Sequence, residues 1–308
     1  MEKVVADRRP AKQPWNKSSK LASFAGGRGI ADATLIALAV LLAAVVFGLL
    51  LSVLWSVISA GAGAMSPQFL YQNNRYISTT TSLEYGGVGH AILGTLWLVL
   101  LATLVALPLG LAIAVYLTQS QSKLRNLVRS ITQALAGLPS VVSGLFVLSI
   151  ISFLGAQKSG IFGALALFPL MLPTVARVAE EALRLVPADL RLAALGLGAP
   201  NYRAFFQVIL PAAKSGIITA LLLGLARVVG ETAPLILTIQ ANNGTNLNPF
   251  DGGVATLPTY IYGFISAGYA SSITRAWGAS LVLLILVGIL FITARLLTAD
   301  KKKKKAKK

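Results

Sequence analysis

AILGTLWLVLLATLVALPLGLAIAVYLT, residues 91–118, carries no charged side chain from end to end. A helix crosses the hydrocarbon core of a bilayer in about 20 residues, so this stretch is long enough to span it. Comparable runs lie on both sides, at about 32–60, 131–154, 160–179, 215–239 and 277–297. The pattern predicts an all-α polytopic membrane protein with six transmembrane helices. Composition agrees. Of 308 residues, 56% are hydrophobic and 12% charged, where a soluble domain carries about 25% charged residues. With no Cys and one His, a disulfide framework, a thiolate metal site and a histidine metal cluster are excluded, and no metal site is expected.

The net charge of +17 would suit a nucleic-acid binder if it were spread over a polar surface. It is gathered instead at the ends and in two loops. Seven basic residues precede the first apolar run and seven lysines follow the last, Lys301–Lys305 with Lys307 and Lys308. Lys123, Arg125 and Arg129, and then the stretch from Arg177 to Lys214, hold most of the remainder, while the intervening loops hold only Arg75, Lys158 and Arg275. This asymmetry predicts both termini on the cytoplasmic side, with the flanks also contacting anionic lipid. The division expected is a basic cytoplasmic arm over residues 1–31, a membrane domain over 32–297 and a lysine-rich cytoplasmic tail over 298–308. The first apolar run is too long and too far from the start for a cleaved signal peptide. The outer loops, 61–90 and 240–276, are rich in Gly, Asn, Ser, Thr, Tyr and Pro.

Prolines interrupt several spans: Pro108, Pro139, Pro169, Pro173 and Pro234. Each removes a backbone donor and kinks or breaks its helix. In lipid such breaks persist where protein or a water-filled cavity satisfies the freed groups, which suits a channel or transporter bundle.

The longest inner loop, about 180–214, contains PADLRLAALGLGAPNYRAFFQVILPAAK, residues 187–214. Pro187 and Asp189 suit the first turn of a helix, and Gly198 with Pro200 ends it. A second short helix is expected at about 201–210 with Asn201 as its cap. Leu190, Leu192, Leu195, Leu197, Phe205, Phe206 and Val208 are too many apolar side chains to pack inside two short helices. Such a surface marks a protein partner, a loop folded against its own bundle, or a helix lying among headgroups.

Within this loop Ala193-Ala194, Gly198 and Val208-x-Leu210-Pro211 have the spacing of the E-A-A, three residues, G, nine residues, I-x-L-P pattern, and resemble the cytoplasmic motif of ABC importer permeases. The motif's Glu position is Leu192 here. GGVGHAILGTLWLVLLA (86–102), LPSVVSGLF (138–146), LARVVGETAPLILT (225–238) and TLPTYIYGF (256–264) are similar to phosphate-specific permeases, and to the second of the two paired phosphate permeases in particular. The resemblance covers about residues 85–297. It implies the type I importer permease architecture, with the inner loop acting as a coupling helix that docks on an ATPase subunit. The docking residues it implies are Leu190, Ala193, Ala194, Gly198, Phe205, Phe206, Leu210 and Pro211.

Arg227 and Glu231 are the charges well inside the fifth apolar run. A charge at the bilayer centre costs about 2.5–3.5 kcal/mol on insertion scales, so such residues rarely face lipid. Their i, i+4 spacing lets them pair on one helix face, either to fix packing or to serve transport. The planar guanidinium fork suits phosphate. The family resemblance implies that Arg227 and Arg177 are transport residues and that Glu231 neutralises Arg227 between passages; Arg177 equally suits a helix-end anchor. His90 reads as a polar residue at the outer boundary.

What the resemblance implies is half of the translocation pathway of an ATP-driven phosphate importer in a bacterial inner membrane. A second related permease, two ATPase subunits and an extracytoplasmic phosphate-binding protein would complete it. No catalytic site or cofactor is expected in this chain, which lacks the G-x-x-x-x-G-K-[ST] loop; ATP would be bound by the partner ATPase. Alternatives are a permease for sulfate or molybdate, or a secondary anion transporter, which an inverted repeat would favour.

Overall fold

Small residues set how the spans meet. The computed structural model describes residues 25–305, so the expected basic arm as far as residue 24, and residues 306–308 of the expected tail, lie outside the described residues. The chain divides after Trp55 into two units. The first holds most of helix α1, Ala25–Ala62, an uninterrupted apolar helix long enough to cross a membrane.

The second unit, Ser56–Lys308, begins with a short helix α2, Pro67–Tyr71, capped by the Ser66 hydroxyl, and then α3, Gly89–Gln119. Helices α4, Leu124–Ala136, and α5, Ser140–Leu154, lead to α6, Gly160–Arg184. Leu98 of α3 lies against Gly163 of α6, and Gly110 of α3 against Val175. The offset is 65 residues at both places (163 less 98, 175 less 110), so α3 and α6 run parallel. The inner loop follows: α7, Ala188–Gly196; α8, Asn201–Arg203; a π-helical turn, Ala204–Ile209; and α9, Leu210–Ala212. Helix α10, Lys214–Val229, packs antiparallel to α6, with Gly216 on Ala182 and Gly224 on Val175 and Met171. Then come α11, Ala233–Thr238, α12, Leu257–Ala267, and α13, Ala270–Lys305. Leu98, Leu167, Met171, Val175, Val228 and Leu235 form the central core. Phe69, Val88, Leu257, Tyr260 and Ala276 form a second core where α2, α12 and the N-terminal ends of α3 and α13 meet.

Among the described residues four helices, within α1, α3, α6 and α13, are each long and apolar enough to cross a membrane, and two bent pairs bring the total to as many as six spans. The third expected span, 131–154, is therefore not one helix: α4 and α5 meet at 101°. Pro139 has no N–H to continue α4 and pushes the residue before it out of the helical region. The second bent pair joins Asn201–Ala212 to α10 at 66°, and the fifth expected span, 215–239, breaks separately at Gly230–Thr232, because Gly230 is a weak helix former and Pro234 starts α11 afresh. Pro108, Pro169 and Pro173 stay inside continuous helices.

The end of the bundle where α3 and α13 begin is stitched by polar bonds. The Thr95 hydroxyl accepts from Leu257 N at 2.8 Å, and the adjacent Gly94 lets the 254–255 backbone touch α3. A Cβ at Gly94 would overlap the Ala255 carbonyl oxygen. Gly94→Ala is expected to destabilise the chain by about 1–3 kcal/mol through that forced shift, read as a lower unfolding temperature in detergent; an unchanged value would show that the segment yields freely.

Candidate functional site

Helix α10 presents Gly216, Ala220, Gly224 and Val228 at i, i+4 spacing, and the last three are buried. That stripe seats on α6 and turns the neighbouring Arg227 away from the core. The α helix ends at Val229, and Glu231 N bonds back to Val228 O at 3.2 Å in a tighter turn. Glu231 thus lies in the break rather than on the helix. Even so, Arg227 Nη1 donates to Glu231 Oε1. The carboxylate side chain is 12% exposed and the guanidinium 45%. The acid is tucked under the break while the cation reaches the surface of the chain.

Arg177 is on α6. Its Nε donates to Glu181 at 3.3 Å, and both side chains are exposed, so the pair adds little to stability. The antiparallel register places Arg227 level with about residue 172 of α6. At ~1.5 Å per residue, Arg177 lies ~8 Å further along that helix. The two arginines expected to act in transport are therefore brought to one helix pair but not into contact, and each has its own glutamate at i+4.

Arg177 also lines a cavity of about 440 Å³ with Arg129, Arg184, Glu180 and Glu181. Glu180 accepts from Arg129 Nη2 at 2.7 Å and from Arg184 Nη2 at 2.6 Å. Sequence reasoning absorbed Arg129 and Arg184 into the inner-side charge count and overlooked this network. The i, i+3, i+7 spacing of Arg177, Glu180 and Arg184 is the signal that places them on one face of α6.

In the inner loop, α7 ends as the sequence requires. Gly198 adopts φ +85°, Ala199 N bonds to Ala194 O at 3.1 Å and Gly198 N to Leu195 O at 2.9 Å, a Schellman closure that favours glycine. Leu190, Ala193 and Leu197 fall on one outward stripe, i, i+3 and i+7, with Leu192 beside it; Leu197 is 90% exposed. Ala194 faces inward and is buried.

Two expectations for the second short helix need correction. Asn201 is not its cap: Pro200 holds the cap position, and Asn201 Oδ1 accepts from Arg191 at 3.4 Å. Phe205, expected on the docking face, is largely buried within this chain. It is 6% exposed, packed with Ala114, Leu183, Ile209 and Ala220. Pro211 cannot donate to the carbonyl four residues back, and the turn before it widens to a π-helix in which Leu210 N bonds to Phe205 O. The wider turn brings both Phe205 and Ile209 inward. Phe206 is exposed, and with Leu210 and an edge of Phe205 it borders an apolar groove beside Pro108, Leu111 and Tyr116 of α3. Pro211 itself is exposed.

Where α3 and α13 begin, Arg275 and His90, expected in or beside polar loops, are both buried. Arg275, in the second turn of α13, is 0% exposed and donates to the carbonyls of Ser82 at 2.6 Å and Tyr85 at 2.7 Å. His90 packs edge-on to Tyr260, whose hydroxyl accepts from Asn74 at 3.0 Å. These side chains hold the outer loops to the bundle.

A bundle of helices apolar enough to span a membrane, broken beside a charged pair and carrying an exposed apolar stripe on α7, has the features of a membrane transport subunit. The chain belongs to the family of binding-protein-dependent transport system inner membrane components, matched over residues 106–302. It is 42% identical over 214 residues to "Phosphate transport system permease protein PstA 1" of Mycobacterium tuberculosis (strain CDC 1551 / Oshkosh), covering 69% of this chain and 70% of that one. It is 36% identical over 273 residues to "Phosphate transport system permease protein PstA" of Yersinia pestis, covering 87% and 90%. Among solved structures, a bacterial alginate ABC transporter in complex with its alginate-bound periplasmic protein matches with a TM-score of 0.63 at 18% identity, over 91% of this chain and 99% of that one. The inward-facing MetNI methionine ABC transporter matches with a TM-score of 0.56 at 20% identity, over 70% and 94%. The chain thus has the fold of ABC importer permeases.

Proposed function

We propose that this chain is a permease subunit of an ATP-driven importer of inorganic phosphate, forming half of the pathway through a bacterial inner membrane with both termini in the cytoplasm. The observation that carries it is the Arg227–Glu231 pair at the break between α10 and α11. A guanidinium that reaches the chain surface within a span is too costly to leave in lipid, so that surface is assigned to a wet route shared with a second, related permease. Arriving phosphate takes the place of the Glu231 carboxylate on the guanidinium, through the same two-pronged hydrogen bonding. Glu231 reclaims Arg227 as the anion leaves, so the anion is attracted but not held. The relatives named for phosphate transport support the choice of ion.

An extracytoplasmic binding protein delivers phosphate to the outer loops. ATP is bound and hydrolysed on two separate ATPase subunits, and their motion enters through the outward stripe of α7. Arg177, further along α6, is the next cation on the route.

The test is uptake of radiolabelled phosphate, sulfate and molybdate in cells lacking this chain, with and without its gene restored. Phosphate uptake is expected to fall without the chain and return with it, while the other two are unaffected. Phosphate uptake independent of the chain would overturn the proposal, and a loss of sulfate or molybdate uptake instead would reassign the substrate.

A further inference from the structure

The cavity between α4 and the C-terminal half of α6 holds more cationic capacity than its own acids consume. Three guanidiniums, Arg129, Arg177 and Arg184, face two carboxylates, Glu180 and Glu181, which leaves one net positive charge. Glu180 is shared by Arg129 and Arg184, so two cations draw on one acid. The remaining pair, Arg177 with Glu181, is exposed and readily displaced. Arginine groups set side by side, with the exposed guanidinium of Arg177 and the half-exposed one of Arg184 reaching the cavity, are the chemistry that binds a phosphate group by paired N–H bonds. The cavity is open, and its volume of about 440 Å³ is that of ~15 waters at ~30 Å³ each, ample for a hydrated anion or a lipid headgroup.

We propose that this cavity is a second phosphate-group site, separate from the Arg227–Glu231 pair and built by Arg129, Arg177 and Arg184. By the α6 register, Arg184 lies ~18 Å beyond the level of Arg227 at ~1.5 Å per residue, on the side assigned to the cytoplasm. Its ligand is either phosphate leaving the pathway or the headgroup of an anionic phospholipid. Only the first identity rests on the proposed phosphate function. Glu180 occupies the cations of the empty site and yields them when the phosphate group enters, so it sets the affinity by competition.

The experiment uses the assembled importer without its binding protein, in an Arg227→Gln background that removes the pore site. Three ligands are offered: [32P]phosphate, vesicles of phosphatidylglycerol and vesicles of phosphatidylcholine. Arg129→Gln is expected to weaken binding about tenfold, the loss of one charge-assisted contact, and Glu180→Gln to tighten it severalfold. A purely structural network would not respond in opposite directions, and the gain in Glu180→Gln cannot arise from misfolding. Opposite shifts with [32P]phosphate assign the site to the free ion. Opposite shifts with phosphatidylglycerol but not phosphatidylcholine keep the site and assign it to lipid, and this holds even if whole-cell uptake refutes phosphate transport. No opposite shift with any ligand overturns the proposal.

Discussion

Arg227→Gln is expected to abolish phosphate uptake while the importer still assembles. Glutamine retains a polar stem and part of the hydrogen bonding but loses the charge and the fork. The side chain is 45% exposed, so its removal leaves no hole in the core. Gly224 and Val228, which seat α10 on α6, are untouched. The electrostatic change is larger than the loss of one ligand. Glu231, only 12% exposed, would stand alone in the break and repel an approaching anion. Two unit charges 4 Å apart interact by about 4 kcal/mol at an effective dielectric constant near 20, and each 1.4 kcal/mol is about tenfold. A fall in uptake of at least about a hundredfold follows. Arg227→Gln with Glu231→Gln removes the repulsion as well, so partial recovery in the double variant would separate repulsion from the missing guanidinium. Glu231→Gln alone frees Arg227 to hold phosphate longer, and slower turnover is expected. Initial uptake rates, with recovery of the intact complex in mild detergent, decide the matter; normal uptake by Arg227→Gln would remove the pair from the pathway.

The bundle was legible because bilayer thickness is written into apolar run length, and four of the runs are single long helices. The 101° turn between α4 and α5 was not, because Leu138 and Pro139 leave hydropathy high while changing the backbone completely. The Arg227–Glu231 pair could be read from spacing alone and formed although the helix ended between its members. Side chains that act across tertiary distance were hidden. Arg129 meets Glu180, 51 residues away, only because α4 packs against α6. Arg275 looked like an exposed loop charge, and its burial depends on carbonyls from residues 82 and 85 closing over it. Neighbouring Phe205 and Phe206 share one expected role; the π-turn before Pro211 buries most of the first and leaves the second exposed, while both border the groove against α3. Composition cannot separate adjacent residues whose difference is one extra residue in a helical turn.

That separation makes two charge insertions diagnostic. Leu197→Asp adds a carboxylate at a position 90% exposed, where surface substitutions stay within about 0.5 kcal/mol of the parent stability. The chain is expected to reach the membrane at normal abundance. If the stripe of Leu190, Ala193 and Leu197 seats in an apolar groove of the ATPase, docking must bury the new charge without a partner, which costs several kcal/mol. The ATPase is then lost on extraction in mild detergent, and uptake falls with it. Phe205→Asp inserts the same group ten residues before Ser215, among Ala114, Leu183, Ile209 and Ala220. It forfeits the ring's packing, about 3–5 kcal/mol for a phenylalanine cut to alanine, and strands a carboxylate in a dry cluster. A loss of this size approaches the whole stability of a typical domain, so the chain itself should disappear from the membrane. Abundance and ATPase retention therefore move independently: Leu197→Asp costs the second and spares the first, and Phe205→Asp costs the first. Full ATPase retention by Leu197→Asp would take docking away from α7. A stable Phe205→Asp chain that sheds the ATPase would return Phe205 to the docking surface.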